Sequence, residues 1–231
     1  MEIRPVDAKE EATRAMIDLH THSLFSDGEL IPSELVSRAA AAGYRAIAIT
    51  DHGDESNIDF IIPRIVKACR KLAAAYRMPV LPGIELTHVP PGDIAALARE
   101  ARAIGAAVVV VHGETIVEPV PSGTNAAALR ADIDILAHPG LLTGEDAAAA
   151  AARGIFLEIT TRAGHSYTNG HVLKMARTAG APLLLNTDAH APHDLTPRDR
   201  AAKIARGAGM SDDEIAGMWK NSEALAKRAS A

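Results

Sequence analysis

The chain has 231 residues, of which 48% are hydrophobic and 23% charged, and its formal net charge is −5 at pH 7. A chain of this length and composition is typical of a globular domain with a full hydrophobic core. Its lysines and arginines are scattered, so the sequence lacks the continuous basic stripe that binds a long nucleic acid. We therefore expect a small-molecule partner rather than a long nucleic acid.

The amino-terminal sequence and the cysteine content favour the cytoplasm as the compartment of this protein. Residues 1–15 form a charged leader without the apolar stretch of a secretory signal. The longest β-branched run, at 108–111, is far too short to span a bilayer. The single cysteine, Cys69, cannot form an intrachain disulfide, which agrees with a reducing compartment. We expect a cytoplasmic protein with no membrane partner.

Short apolar runs alternate with amphipathic helical patterns along the chain. Runs bounded by turn residues are typical of buried parallel strands, and regular alternation with helices indicates right-handed crossovers. The chain therefore predicts an α/β fold in a single domain, residues 1–231, with a C-terminal helix within 211–231. Strands are predicted at 17–20, 46–50, 80–85, 107–111, 133–137, 155–159 and 183–186, and helices at 32–42, 59–76, 92–104, 125–130, 145–153, 171–179, 198–206 and 212–229.

Six of the ten histidines and three acidic residues stand at or just beyond the ends of predicted strands. The carboxyl ends of parallel strands meet at one edge of a sheet, where α/β enzymes hold their active sites. Nine such ligands are more than one metal ion needs, so they predict a multinuclear metal site. Because nearly every strand end contributes, closure into a barrel is favoured over an open sheet. The nine are His20, His22, Asp27, His52, Glu85, His112, His138, Asp188 and His190.

The segment D-L-H-T-H-S-L-F-S-D-G begins this series. His20 and His22, two residues apart on a strand, point to the same face and can bind one ion, and Asp27 follows on the next turn. Asp51 and His52 are neighbours, so at most one of them is a ligand. We choose His52 as the ligand, while Asp51 either orients a ligand or caps a helix.

The later strand ends complete the predicted site. Glu85 offers a carboxylate that can bridge two ions, which a neutral imidazole cannot do. His112 and His138, each followed by a glycine or proline that turns the chain away, form a second predicted ion site with Glu85. Asp188 and His190 repeat the two-residue spacing of the first pair. We expect Glu85, Asp188 and His190 to be catalytic.

Four further residues are candidates for binding the substrate. Arg162 follows the sixth predicted strand, and Arg198 follows the loop after the last one. An arginine fork suits the terminal oxygens of a phosphate, although a surface arginine explains either position equally well. His165 and His193 lie on loops beyond strands six and seven, where they would contact the substrate or deliver a proton to its leaving group.

The motifs H-T-H, S-D-G, T-D-H, G-I-E, the two later histidines and D-A-H occur in the order of the PHP (polymerase and histidinol phosphatase) family, which the chain resembles from Asp18 to His190. The resemblance implies a distorted seven-stranded (β/α) barrel that binds two to three divalent ions (Zn, Mn or Fe) and hydrolyses phosphoesters. Asp27 stands where some members use histidine. The implied ligand sets are His20, His22, Glu85 and Asp188; Glu85, His112 and His138; and Asp27, His52 and His190.

The predicted reaction is hydrolysis of a small phosphate monoester, histidinol-phosphate-like or nucleotide-like, by a metal-activated hydroxide. The alternatives are a 3'-5' exonuclease or other nuclease-type phosphodiesterase, an amidohydrolase, and a non-catalytic metal-binding module. Many amidohydrolases bridge their metals with a carbamylated lysine at a strand end, whereas all seven lysines here lie in the leader or in helical stretches. A non-catalytic module should lack several ligands. The metal, the substrate and the oligomeric state stay open at this point.

Overall fold

A computed structural model describes residues 15–230 of the chain. Within that range the α-helices are α1 (Pro32–Ala41), α2 (Ile58–Tyr76), α3 (Ile94–Ala103), α4 (Thr124–Ala128), α5 (Gly144–Arg153), α6 (Asn169–Ala179), α7 (Arg198–Gly207) and α8 (Asp212–Ala229), with 3-10 turns at His165–Thr168 and Pro192–Asp194. No helix among residues 15–230 has the length and apolar character needed to cross a bilayer. Nearly all of the predicted charged leader lies outside the described residues.

The strands are β1 (Met16–Asp18), β2 (Tyr44–Ile49), β3 (His52–Gly53), β4 (Val80–Leu86), β5 (Val108–His112), β6 (Ile135–Ala137), β7 (Phe156–Thr160) and β8 (Leu183–Asn186). They form one parallel sheet in the order β1-β2-β4-β5-β6-β7-β8, with β3 paired to β4. Just beyond β1 and β8, the sheet nearly closes on itself, because Thr21 and Ala189 form a parallel bridge. The predicted α/β barrel is therefore confirmed.

The second predicted strand is divided into β2 and β3. The backbone N–H of Thr50 donates to the carbonyl oxygen of Thr21, on the side of β1, whereas His52 pairs with Glu85 of β4. Both segments pair with β4 in one register, Ile49 opposite Pro82 and His52 opposite Glu85, and the two residues between them interrupt the strand. Asp51, at the interruption, accepts hydrogen bonds from both the backbone N–H and the hydroxyl of Ser23.

Alternate strand residues face two separate apolar layers. Ile17, Ala46, Val108 and Ile135 belong to a small cluster inside the barrel, while their neighbours along the strands pack against the surrounding helices. Leu225 of α8 joins the inner cluster. Helix α8 also contacts the beginnings of several strands through hydrogen bonds from Asn221 to Leu183, from Arg45 to Glu223 and from Arg228 to Asp134. Helix α8 therefore covers the amino end of the barrel, and the carboxyl end is left for a site.

Candidate metal centre

The two histidines that follow β1 face the same two carboxylates. His20 and His22 are both fully buried. Nε2 of His20 lies 3.3 Å from Oε1 of Glu85, and Nε2 of His22 lies 3.0 Å from Oδ1 of Asp188. Each ring also lies 3.7 Å from the other carboxylate. The structure thus brings together side chains from the ends of β1, β4 and β8.

Several polar atoms at this point are buried without a hydrogen-bond partner. They are Nε2 of His20, both ring nitrogens of His22, Oε1 of Glu85 and Nδ1 of His138. Each such atom costs about 1–3 kcal/mol when it is left unpaired. Two ligand atoms on one tetrahedral zinc ion lie about 3.4 Å apart, because each bond is about 2.1 Å long. The nitrogen–oxygen separations of 3.0–3.7 Å match that spacing, so the residues fit a metal ion.

The charges at the centre also favour a cation. Burial lowers the pKa of His20, but the carboxylates of Glu85, Glu158 and Asp188 outweigh burial and raise this pKa well above its usual value. Burial raises the pKa of Asp188. Positive charge at this point would therefore offset part of the buried negative charge. A divalent ion would supply this positive charge in place of a proton on His20, since metal ligands must be deprotonated.

Two of the candidate ligands have left-handed backbone conformations. The φ angle is 52° at Asp188 and 27° at His138. Residues other than glycine rarely adopt positive φ, and when they do the conformation costs free energy that the surrounding structure must offset. Such strain concentrates at functional sites, which agrees with the positions of both residues at strand ends facing the centre.

Asp27, His52 and His190 form a neighbouring group beside His22. Oδ1 of Asp27 lies 3.3 Å from Nε2 of His52 and 3.1 Å from Nε2 of His190. The next residue must be glycine, because a Cβ atom at Gly28 would lie 2.6 Å from the carbonyl oxygen of His22. The S-D-G turn therefore folds back closely over the H-T-H segment and delivers Asp27 to the group. The spacing of these atoms fits a further ion.

His112 and His138 meet at the ends of β5 and β6, with ring centroids 4.4 Å apart. Nε2 of His138 lies 3.6 Å from Oε1 of Glu85, which also approaches His20. Glu85 thus stands between this pair and the β1 histidines, as a bridging carboxylate would. His165 lies beside the pair, and nitrogens of all three histidines lie within 4.8 Å of one another.

The carboxylate of Glu158 on β7 accepts hydrogen bonds from two of the candidate ligands. Oε1 of Glu158 accepts hydrogen bonds of 2.8 Å from Nδ1 of His20 and from the Asn186 amide, and Oε2 accepts one from the backbone N–H of His138. Glu158 was outside the predicted site. The sequence signal that points to Glu158 is its position at the end of the sixth predicted strand. Asp51, which the sequence leaves open between orienting a ligand and capping a helix, orients the H-T-H-S loop. Glu114 accepts hydrogen bonds from the backbone N–H groups of Gly123 and Asn125 at the start of α4.

Of the four predicted substrate-binding residues, Arg162 and His165 line the cavity above the centre. The cavity has a volume of about 570 Å³, within the range of about 300–1,000 Å³ that holds small-molecule ligands. Nη1 of Arg162 donates to Asp194 at 3.1 Å, and its Nε lies 4.0 Å from Oδ2 of Asp188. The guanidinium is therefore held beside the candidate ligands.

The structure places the other two elsewhere. Arg198 donates to the carbonyl oxygen of Ala15, just before β1, and its guanidinium lies over Trp219 of α8. Since α8 covers the amino end of the barrel, Arg198 is remote from the centre and does not line the cavity, so its position does not support the predicted substrate contact. The side chain of His193 is 82% exposed and does not line the cavity. Both predictions rest on closeness in sequence to a strand end. That closeness does not determine where the following loop places its side chains.

The model of the PHP domain family matches residues 18–162, more than half of the chain. A protein of Methanocaldococcus jannaschii is 49% identical over 200 residues, which cover 86% of this chain and 92% of that protein. A probable phosphatase of Edwardsiella ictaluri is 29% identical over a match that covers 86% of this chain and 88% of that protein. Ribonuclease P protein component 3 of Methanosarcina mazei is 28% identical over a match that covers 81% of this chain and 79% of that protein.

Two solved structures are similar in fold. A chain of archaeal ribonuclease P with mature tRNA gives a TM-score of 0.71 at 14% identity, with 91% of this chain and 90% of that chain covered. The histidinol phosphate phosphatase of Lactococcus lactis was solved with zinc, L-histidinol and phosphate. It gives a TM-score of 0.59 at 18% identity, with 84% of this chain and 94% of that chain covered. At these identities the likeness concerns the fold alone. The match of the PHP domain model over more than half of the chain shows that this chain belongs to the PHP domain family.

Proposed function

We propose that the protein is a metal-dependent phosphoesterase that hydrolyses a small phosphate monoester. The observation that supports this most directly is the set of buried, unpaired imidazole nitrogens and the carboxylate oxygen of Glu85, which lie beside the cavity residues His138 and Asp188. A folded protein rarely leaves so many buried polar atoms unpaired without a function for them. The phosphatase name of one relative agrees with the proposal.

The proposed ligand sets follow the three groups of side chains. His20, His22, Glu85 and Asp188 would hold one ion, Glu85, His112 and His138 a second, and Asp27, His52 and His190 a third. Bound zinc, manganese or iron ions would supply Lewis acidity and lower the pKa of a water molecule to near neutrality. Glu85 and Asp188 would keep neighbouring ions close together, because each carboxylate faces histidines of all three groups.

Arg162 is the proposed contact for the non-bridging oxygens of the phosphate. Its guanidinium lines the cavity and is oriented by Asp194, which also accepts hydrogen bonds from the backbone N–H groups of His190 and Ala191. A planar fork held in this way binds phosphate oxygens in a fixed direction. Arg162 would therefore orient the phosphoryl group over the ligand cluster.

A turnover panel tests the proposal. Zinc- or manganese-loaded protein is assayed with p-nitrophenyl phosphate, histidinol phosphate, AMP and a single-stranded RNA oligonucleotide. We expect phosphate release from at least one monoester, loss of that release with a chelator, and recovery with metal. Cleavage of the oligonucleotide without turnover of any monoester would favour a phosphodiesterase. Inactivity on all four would favour a non-catalytic module.

An RNA ligand is the second candidate. It is favoured by the resemblance in fold to the archaeal ribonuclease P chain and by the relative named as a ribonuclease P component. The net charge of −5 argues against a long polyanion. An amidohydrolase with a lysine bridge has no support, because the six lysines within residues 15–230 all lie in α2, α6, α7 and α8.

A further inference from the structure

We propose that His165 and Glu118 are additional ligands of the ion held by His112 and His138. This inference rests on the proposed function, since it presupposes a metal centre at these strand ends. Neither residue belongs to the nine strand-end ligands. His165 opens the 3-10 turn that follows β7, and Glu118 lies on the loop between β5 and α4.

His165 has the geometry of an oriented ligand. It is buried, and its ring stacks on that of His138 with a centroid distance of 4.2 Å and an angle of 19°. Its Nδ1 forms a 2.8 Å hydrogen bond with the hydroxyl of Thr115. When Nδ1 donates in that bond, Nε2 presents its lone pair to the cavity, which is the usual arrangement of a metal-binding histidine. Nitrogens of His165, His138 and His112 all lie within 4.8 Å of one another.

Glu118, on the loop between β5 and α4, contacts two of these histidines. Its Oε2 lies 3.1 Å from Nε2 of His112, and its Oε1 lies 3.4 Å from Nε2 of His165. Both separations match the distance of about 3.4 Å between two ligand atoms on one tetrahedral ion. Oε2 also lies 3.3 Å from Nε2 of His88, which approaches from the outer side. The two contacts use different oxygens, so the carboxylate lies between His112 and His165 and would bind the ion through one of them.

Together with Glu85, these side chains offer the ion three imidazole nitrogens and two carboxylate oxygens, one donor more than a four-coordinate ion binds. Zinc prefers nitrogen and oxygen donors of this kind. Since the side chain of Glu118 is 41% exposed whereas that of His165 is 7% exposed, we assign the stronger contribution to His165. The bond to Glu118 would be the weaker one, because water competes with an exposed carboxylate.

Zinc affinity is the test. Chelator competition is measured for the wild-type protein, for His165→Ala and for Glu118→Gln. Glu114→Gln is the matched control on the same loop, where the side chain accepts hydrogen bonds at the start of α4. His171→Gln is the histidine control, since its ring hydrogen-bonds the Leu142 carbonyl oxygen. We expect His165→Ala to weaken the binding of one zinc ion at least 10-fold, Glu118→Gln to weaken it less, and both controls to match the wild type.

A crystal structure of the zinc-loaded wild-type protein gives a second readout that does not depend on variants. A bond of about 2.0–2.1 Å from zinc to Nε2 of His165 would support the inference. The inference is wrong if His165→Ala and Glu118→Gln bind zinc like the wild type, or if neither residue contacts zinc in the crystal. If the wild-type protein itself binds less than one zinc ion, the proposed metal centre fails instead.

Discussion

Nδ1 of His20 donates a 2.8 Å hydrogen bond to Oε1 of Glu158 at the floor of the site, between two fully buried side chains. This bond fixes the ring so that Nε2, the unpaired nitrogen, faces Glu85. The same carboxylate accepts from the Asn186 amide and from the backbone of His138. One residue of β7 thereby positions candidate ligands that follow β1 and β6.

Replacing Glu158 should therefore weaken metal binding without removing a ligand. Glu158→Gln loses the charge that favours the Nδ1–H tautomer of His20, and we expect metal affinity to fall by about 10- to 100-fold. Competition with a chelator measures the change. Glu145→Gln, at an exposed position of α5, is the control. Unchanged affinity in Glu158→Gln would show that the protein orients His20 without this carboxylate.

Metal content and stability should change together. Protein purified without a chelator should contain two to three equivalents of divalent metal, and chelation should lower Tm, because an ion that binds the folded state alone stabilises it. At a free concentration of 100 times Kd, each ion contributes about 2.7 kcal/mol. Elemental analysis and thermal unfolding measure the two quantities. Fewer than one equivalent after reconstitution, with an unchanged Tm, contradicts a multinuclear centre.

Glu85→Gln tests the proposed bridge. The substitution keeps the size of the side chain but removes the negative charge that faces His20, His52 and His138. We expect turnover of the best phosphate monoester to fall by several orders of magnitude, while circular dichroism shows a retained fold. Near-normal turnover with a normal metal count would mean that another group bridges the ions.

Arg162→Ala tests recognition of the phosphate. The loss of a charge-assisted hydrogen bond of about 1.5–3 kcal/mol should weaken inhibition by inorganic phosphate by about 10- to 150-fold. Metal content should stay the same, because none of the proposed ligands changes. Arg198→Ala, at the amino end of the barrel beside Ala15, is the matched control and should leave phosphate inhibition unchanged. Equal inhibition in both variants and in the wild type would assign phosphate binding to the metal ions alone.

The sequence by itself determined the alternation of strands and helices, the parallel barrel, and the convergence of the strand-end residues. These follow from local patterns: an apolar run defines a strand, and parallel strands place their carboxyl ends at one edge. The two-residue spacing of His20 and His22 likewise predicts that both rings face one side, and in the structure both face Glu85 and Asp188.

Tertiary structure alone decided which loops return to the centre. Glu118 approaches His112 and His165 because the loop after β5 folds over the cavity, and Arg198 turns away because α7 begins beside Ala15. Glu158 and His20 are 138 residues apart in the chain, and their hydrogen bond exists only because β1 and β7 both border β8 in the closing sheet. Such contacts depend on packing between distant segments, which no local periodicity encodes.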